Sequence, residues 1–222
     1  QANAYLVVQD QECILIDPGD EAPFLLEEIL RRNLKLVGML ATHGHFDHVM
    51  AVGEIQLSYN IPLYIHEKDK FLLNRLEETA RHFLGYTPII IPIRNTTFLT
   101  FKFENYLEIG PPTGGWKLKI IHTPGHTPGS ISIIAEDCIF TGDTLFQDGV
   151  GSTDHKYSNK KDLEESVQKI KSVAKFGWTI YPGHGEKFVS SSGLTRGSIK
   201  SPRILFLPPL RLRRRRIADR GG

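Results

Sequence analysis

The chain has 222 residues with 40% apolar content, enough for a packed core in one large or two small domains, which excludes a disordered or fibrous chain. Its net charge of +2 is unevenly spread: residues 191–222 carry nine Lys or Arg against one Asp, leaving 18 basic and 24 acidic side chains in the rest. Cys13 and Cys138 each sit in an apolar run, so two buried free thiols are expected rather than a disulfide scaffold, and no signal peptide or apolar stretch of about 20 residues marks a secreted or membrane-spanning chain. A cytoplasmic protein is the resulting expectation.

Residues 3–8 (NAYLVV) and 12–17 (ECILID) are short β-rich runs divided by polar QDQE, which predicts a hairpin, and DPGD predicts the following turn. Residues 22–33 have helical spacing, with Phe24, Leu25, Ile29 and Leu30 on one face and Asp20 as the cap. LKLVGMLAT, residues 34–42, has no polar alternation and predicts a strand buried on both faces. A helix over 48–59, a strand over 62–66 and a helix over 67–84 follow. From 89 to 142 the texture is β, cut by Gly and Pro. An amphipathic helix over 159–176 and a strand ending in YPGHG, residues 181–185, close the sequence of elements. This order suits two sheets with helices outside better than one doubly wound sheet.

Both ends stand apart. The chain opens at Gln1, without Met, beside a strand, so an upstream strand is expected to be missing and its neighbour's edge to be exposed. Residues 191–222 show no helical or strand period and are rich in Pro and clustered Arg; they are expected to form a disordered or non-native tail after a domain spanning 1–190.

ATHGHFDHVM, residues 41–50, concentrates three imidazoles and a carboxylate directly after the buried strand. His43 and His45, two apart at a strand exit, point the same way and suit one metal. Asp47 and His48, at the start of a helix, suit a second. Desolvating such a group without a cation would cost several kcal/mol, roughly the penalty of buried unpaired polar groups. Three further candidate ligands stand at strand ends beside glycine: His126 in HTPGHTPGS, Asp143 in IFTGDTLF and His184 in IYPGHGEK. His and carboxylate donors suit zinc, iron or manganese, and the lack of Cys among them argues against a structural zinc site.

THGHFDH, PGHTPGS, TGDTLF and YPGHG, in this order over about residues 3–187, resemble the motifs of the metallo-β-lactamase fold and in particular its glyoxalase II-like hydrolases. The resemblance implies an αββα sandwich of two mixed sheets with the metals at one edge. It also implies two divalent ions, zinc by preference with iron or manganese as alternatives: His43, His45 and His126 on one, Asp47, His48 and His184 on the other, and Asp143 bridging. The sequence departs from the pattern at Met50 and Ala51, where relatives carry glycines, and at Ser152, where arginine is frequent. No glutathione-binding helical domain follows His184, so glutathione specificity is not implied.

Two such ions lower the pKa of a shared water towards neutrality and make hydroxide available, with Asp47 placed to orient it and take its proton. No Ser/His/Asp or Cys/His nucleophile system competes. A thioester or ester substrate is preferred to an amide, because its leaving group needs no dedicated general acid. His66, His82, His122 and His155 lack convergent partners in the sequence; His122 is read as a strand residue facing the core or the sheet edge, and His155 and Tyr157 as substrate contacts at the site mouth. Two other readings stand beside this one: a mononuclear-iron persulfide dioxygenase on the same fold, and a nucleic-acid-binding protein or phosphodiesterase using the basic tail. Tail binding would be non-specific and salt-sensitive. The oligomeric state is left open.

Overall fold

The computed structural model describes residues 2–101, 104–110, 115–191 and 203–207. The first sheet contains β1 (Ala4–Gln9), β2 (Glu12–Ile16), β3 (Lys35–Leu40), β4 (Leu63–His66), β5 (Thr96–Leu99) and β12 (Arg203–Leu207), in the order β12-β1-β2-β3-β4-β5. The second contains β6 (Glu104–Ile109), β7 (Trp116–His122), β8 (Ile131–Ala135), β9 (Cys138–Gly142), β10 (Thr179–Pro182) and β11 (Phe188–Val189), in the order β11-β10-β9-β8-β7-β6. Both sheets mix parallel and antiparallel pairs, the hairpin of β1 and β2 being antiparallel and β2-β3-β4-β5 parallel.

Alternation along the strands builds the layers. Tyr5, Val7, Ile14, Ile16 and Leu40 turn inward and meet Leu118, Ile120, Ile131, Ile133 and Phe140 of the second sheet. Leu6, Cys13, Leu15 and Met39 turn outward against Leu25 and Ile29 of α1 (Ala22–Arg31), Val49 of α2 (Phe46–Val49) and Val52 and Ile55 of α3 (Val52–Ser58). On the far side Ile121, Ile134 and Ile139 pack beneath Val167 and Ile170 of α6 (Lys160–Val173), whose N-terminus is capped by Asn159 accepting from Asp162 N–H at 3.2 Å. The result is the expected αββα sandwich. Both cysteines are buried free thiols, with burial pushing each pKa up to about 12. No helix among the described residues is long and apolar enough to cross a membrane.

Several local expectations are corrected. Leu30 is 68% exposed, because α1 buries Ala22, Leu25 and Ile29, a narrower stripe than the one read from spacing. The capping position of α1 is Glu21, in the left-handed region at φ 58°, and the carboxylate of Asp20 accepts from the Glu21 N–H. The helix expected over 48–59 begins at Phe46 and divides between α2 and α3 around Met50–Ala51, where the Ala51 N–H reaches out to Pro18 O and Gly19 O. The helix expected over 67–84 divides into a 3-10 turn (Glu67–Asp69), α4 (Lys70–Asn74) and α5 (Leu76–Leu84).

The largest correction lies in the basic tail. Arg203–Leu207 form a strand paired antiparallel to β1, in register from Ala4↔Leu207 to Val8↔Arg203. The apolar RILFL within the Arg-rich segment supplies Ile204 to the inner core and Leu205 and Leu207 to the outer one. The edge of β1 that was expected to be exposed is therefore covered, since a row of unpaired backbone donors and acceptors accepts any compatible strand. The rest of the tail expectation, at 192–202 and 208–222, lies outside the described residues.

Candidate metal centre

Every candidate ligand follows a strand. β3 delivers His43 and His45 and opens α2 with Asp47 and His48; β7 leads to His126, β9 to Asp143 and β10 to His184. The structure brings all seven together. His45 Nδ1 lies 3.1 Å from His43 Nε2 and 3.0 Å from His126 Nε2. His184 Nε2 lies 3.4 Å from His48 Nε2 and 3.3 Å from Asp47 Oδ2. The Asp143 carboxylate stands between the two groups, with Oδ1 at 3.5 Å from His48 Nε2 and Oδ2 at 3.5 Å from both His126 Nε2 and His184 Nε2. Ligand atoms of His43, His45 and His126, of Asp47, His48 and His184, and of His43, His48 and Asp143 each lie within 4.8 Å of one another.

The outer ring nitrogens explain why the inner ones face each other. The Thr42 hydroxyl donates to Asp17 Oδ2 at 2.8 Å, so its oxygen accepts from His43 Nδ1–H at 3.2 Å. His126 Nδ1–H donates to Ser152 O at 2.8 Å and His48 Nδ1–H to Asp17 Oδ2 at 3.0 Å. Each of these three rings therefore fixes a proton on its outer nitrogen and turns Nε2 inward, the nitrogen that bears the lone pair when the ring is neutral. Converging lone pairs repel unless a cation stands between them, and hydrogen-bonded outer nitrogens are how ligating histidines are held. Asp143 Oδ1 is buried with no hydrogen-bond donor, as a carboxylate oxygen reserved for an ion would be. The donor set thus fits two divalent ions, one on each triad with Asp143 able to reach both.

The electrostatics agree with the geometry. Burial opposes charge on His48, yet the carboxylates of Asp17, Asp47 and Asp143 push its pKa up to about 10. Burial and the neighbouring imidazoles His48, His45 and His126 hold His43 well below the usual histidine range. Burial and His126 bring His45 down to about 3. Asp47 stays below the usual carboxylate range despite burial, through His48 and His184. The site thus demands positive charge while most of its imidazoles resist carrying it, the condition a metal ion resolves.

Sequence reasoning missed three contributors. Asp17, read only as part of a turn, is 1% exposed and receives Thr42 N–H at 2.7 Å as well as the Thr42 hydroxyl and His48; an acid at the end of an apolar strand was the signal available. Asp69, read as an ordinary helix residue, is fully buried, and burial pushes its carboxyl up to about 6 against the pull of its hydrogen-bond donors. Tyr157 was placed at the mouth as a substrate contact, and its hydroxyl lies 2.8 Å from His45 Nε2, which makes it a support for a ligand ring. His155 stacks on Tyr157 at 5.1 Å, lies 5.0 Å from the His45 ring and faces the exposed Phe83. His122 is buried, as the strand reading allowed, and its ring stacks on that of His66 at 4.4 Å.

Residues 1–184 match the profile of the metallo-beta-lactamase superfamily. The chain belongs to that superfamily. Within it, this metallo-beta-lactamase superfamily chain is 35% identical over 189 residues to hydroxyacylglutathione hydrolase GloC of Haemophilus influenzae, covering 83% of this chain and 86% of that one. Among solved structures it is similar to BLEG-1, a B3 metallo-beta-lactamase, at a TM-score of 0.75 with 31% identity, covering 85% of this chain and 89% of that one. It is also similar to TTHA1623 in a di-iron-bound form, at a TM-score of 0.73 with 31% identity, covering 85% and 90%.

Proposed function

We propose that this superfamily member is a two-metal hydrolase of thioesters or esters of the glyoxalase II type. The observation that carries the reading is the pair of ligand triads with the buried Asp143 carboxylate between them, its Oδ1 without a hydrogen-bond donor. His43, His45 and His126 would hold one ion, Asp47, His48 and His184 the other, and Asp143 would serve both. When bound, two such ions lower the pKa of water and stabilise the oxyanion of an attacked carbonyl. The chain's own part is to position: Asp47, 28% exposed and flanked by His48 and His184, would orient the attacking water and receive its proton besides holding the second ion. His155, beside the His45 ring, and the exposed Phe83 that faces it would contact the acyl or thiol portion of the substrate. No second acid stands ready to protonate a poor leaving group among the residues assigned, which favours a thiolate or alkoxide over an amine.

Likeness to GloC supports the thioester class and likeness to the di-iron form of TTHA1623 supports iron beside zinc as the resident metal. The partner on this reading is a small molecule. The body's excess of acidic residues disfavours nucleic acid, and two buried free thiols suit a cytoplasmic setting. Elemental analysis combined with turnover on thioester, ester and phosphodiester substrates tests the proposal. Two ions per chain with thioester or ester cleavage is the expected result; one iron with oxygen consumption on a persulfide would overturn it in favour of the dioxygenase, and phosphodiester cleavage alone would overturn it in favour of a nuclease.

A further inference from the structure

Asp69 lies at the end of the 3-10 turn after β4, outside both triads, and is 0% exposed. No Lys or Arg among the described residues forms an ion pair with it. Its partners are all donors, and they come from two loops that each carry metal-site histidines. Gly44 N–H, between His43 and His45, reaches Oδ2 at 2.9 Å. The hydroxyl of Thr127, next to His126, reaches the same oxygen at 2.7 Å, and Gly129 N–H reaches Oδ1 at 2.7 Å.

Both loops also give up a side chain where they meet this carboxylate. A Cβ on Gly129 would stand 2.5 Å from Asp69 Oδ1, and one on Gly44 would stand 2.9 Å from Leu72 Cβ and 3.2 Å from Asp69 Cβ. Gly129 of PGHTPG thus admits the carboxylate itself, and Gly44 of HGH admits the Asp69 backbone and Cβ and the Leu72 Cβ behind it. A buried charge without a cation is costly unless it is fully hydrogen-bonded, and here that bonding joins the two loops, beside the backbone bond from Ile131 N–H to Thr42 O.

We propose that Asp69 is the positioning residue of the first ion's ligand set, clamping the loop of His43 and His45 to the loop of His126 at the spacing that ion needs. The second set leans on Asp17, which holds His48 directly and reaches His43 of the first set through Thr42. An amide at position 69 can accept on one side only and would turn an NH2 against an N–H on the other. Loss should therefore fall on the first ion and spare the second.

This inference rests on the two-metal reading, and its test is ion binding by the full chain rather than turnover. Cobalt titrations, followed by visible absorption and by stoichiometry, compare wild type with Asp69→Asn, Thr127→Val and Thr127→Ser, with circular dichroism and thermal midpoint recorded for each. Asp69→Asn should stay folded and bind the first ion about 10- to 100-fold more weakly, the scale of lost support behind a ligand, while keeping the second. Thr127→Val should weaken the same ion by a smaller factor, and Thr127→Ser, which keeps the hydroxyl, should restore it. The proposal is overturned if Asp69→Asn binds both ions like wild type, or loses both in step with its thermal midpoint. If Asp69→Asn does not fold, the threonine pair decides: a Thr127→Val protein indistinguishable from wild type overturns it. A wild type that takes up no cobalt overturns the metal reading itself and this inference with it, a pattern distinct from any of the others.

Discussion

Asp17 holds His48 by its outer nitrogen, and that single 3.0 Å contact sets which nitrogen faces the second ion. Asp17→Asn can present an amide N–H to Nδ1 and force the proton to Nε2, turning a ligand into a donor. The expected outcome is a loss of about 10- to 100-fold in affinity for the second ion, measured by competitive titration against a chelator. Tyr157 acts on His45 in the same manner from a more open position, so Tyr157→Phe should cost less than Asp17→Asn. Asp47→Asn should lower turnover by about 10²- to 10⁴-fold, the usual contribution of a positioned general base, with the Michaelis constant affected less; an unchanged turnover number would remove Asp47 from that role.

At the scale of elements, α6 contributes to the fold through one buried stripe: Val167 and Ile170 lie over the outer face of the second sheet, and Leu163 lies against Gly125 in the loop of His126. Ile170 is fully buried, and Ile170→Ala should cost about 2–5 kcal/mol in urea unfolding, the range for a large-to-small change in a packed core. β12 offers a comparable test. Leu207 is 3% exposed against the outer core, so Leu207→Ala should destabilise the protein by an amount near the lower end of that range if the strand is docked in solution as described. An unchanged unfolding midpoint would show that β12 adds nothing to the core.

At the scale of the whole molecule, the two sheets meet at the site end through the stacked rings of His66 on β4 and His122 on β7. Burial holds the pKa of His66 below 6.5 in the fold, while Phe101 O accepts from its Nε2 and Lys68 N–H donates to its Nδ1. The unfolded chain takes up a proton near pH 6.5 that the folded chain refuses, so the stability linked to this group is whole above that pH and is lost as pH falls. Wild type should lose more stability between about pH 7 and 5 than His66→Gln does, as measured by urea midpoints. Deleting residues 191–222 removes β12 and bares the backbone of β1. The shortened chain should aggregate more readily, seen by light scattering, because an open edge recruits other strands; any nucleic-acid affinity should be lost with the same residues.

The layer order was legible because residues such as Leu6 and Val7 must turn to opposite faces of a strand, and both had to be apolar for a sheet covered on each side. The seven candidate ligands were legible because clustered imidazoles at strand ends have few uses without a cation. Asp17 and Asp69 were not, since a carboxylate in a turn or a helix looks the same in a sequence whether it meets solvent or a distant loop. RILFL escaped for a related reason: a strand that completes an edge needs no period of its own while a partner supplies the register. Local chemistry along the chain thus determined which elements form and which side chains are fit to hold metal. Only the tertiary structure decided what stands behind those side chains, because the contacts that aim them join residues far apart in sequence, and no spacing rule records them.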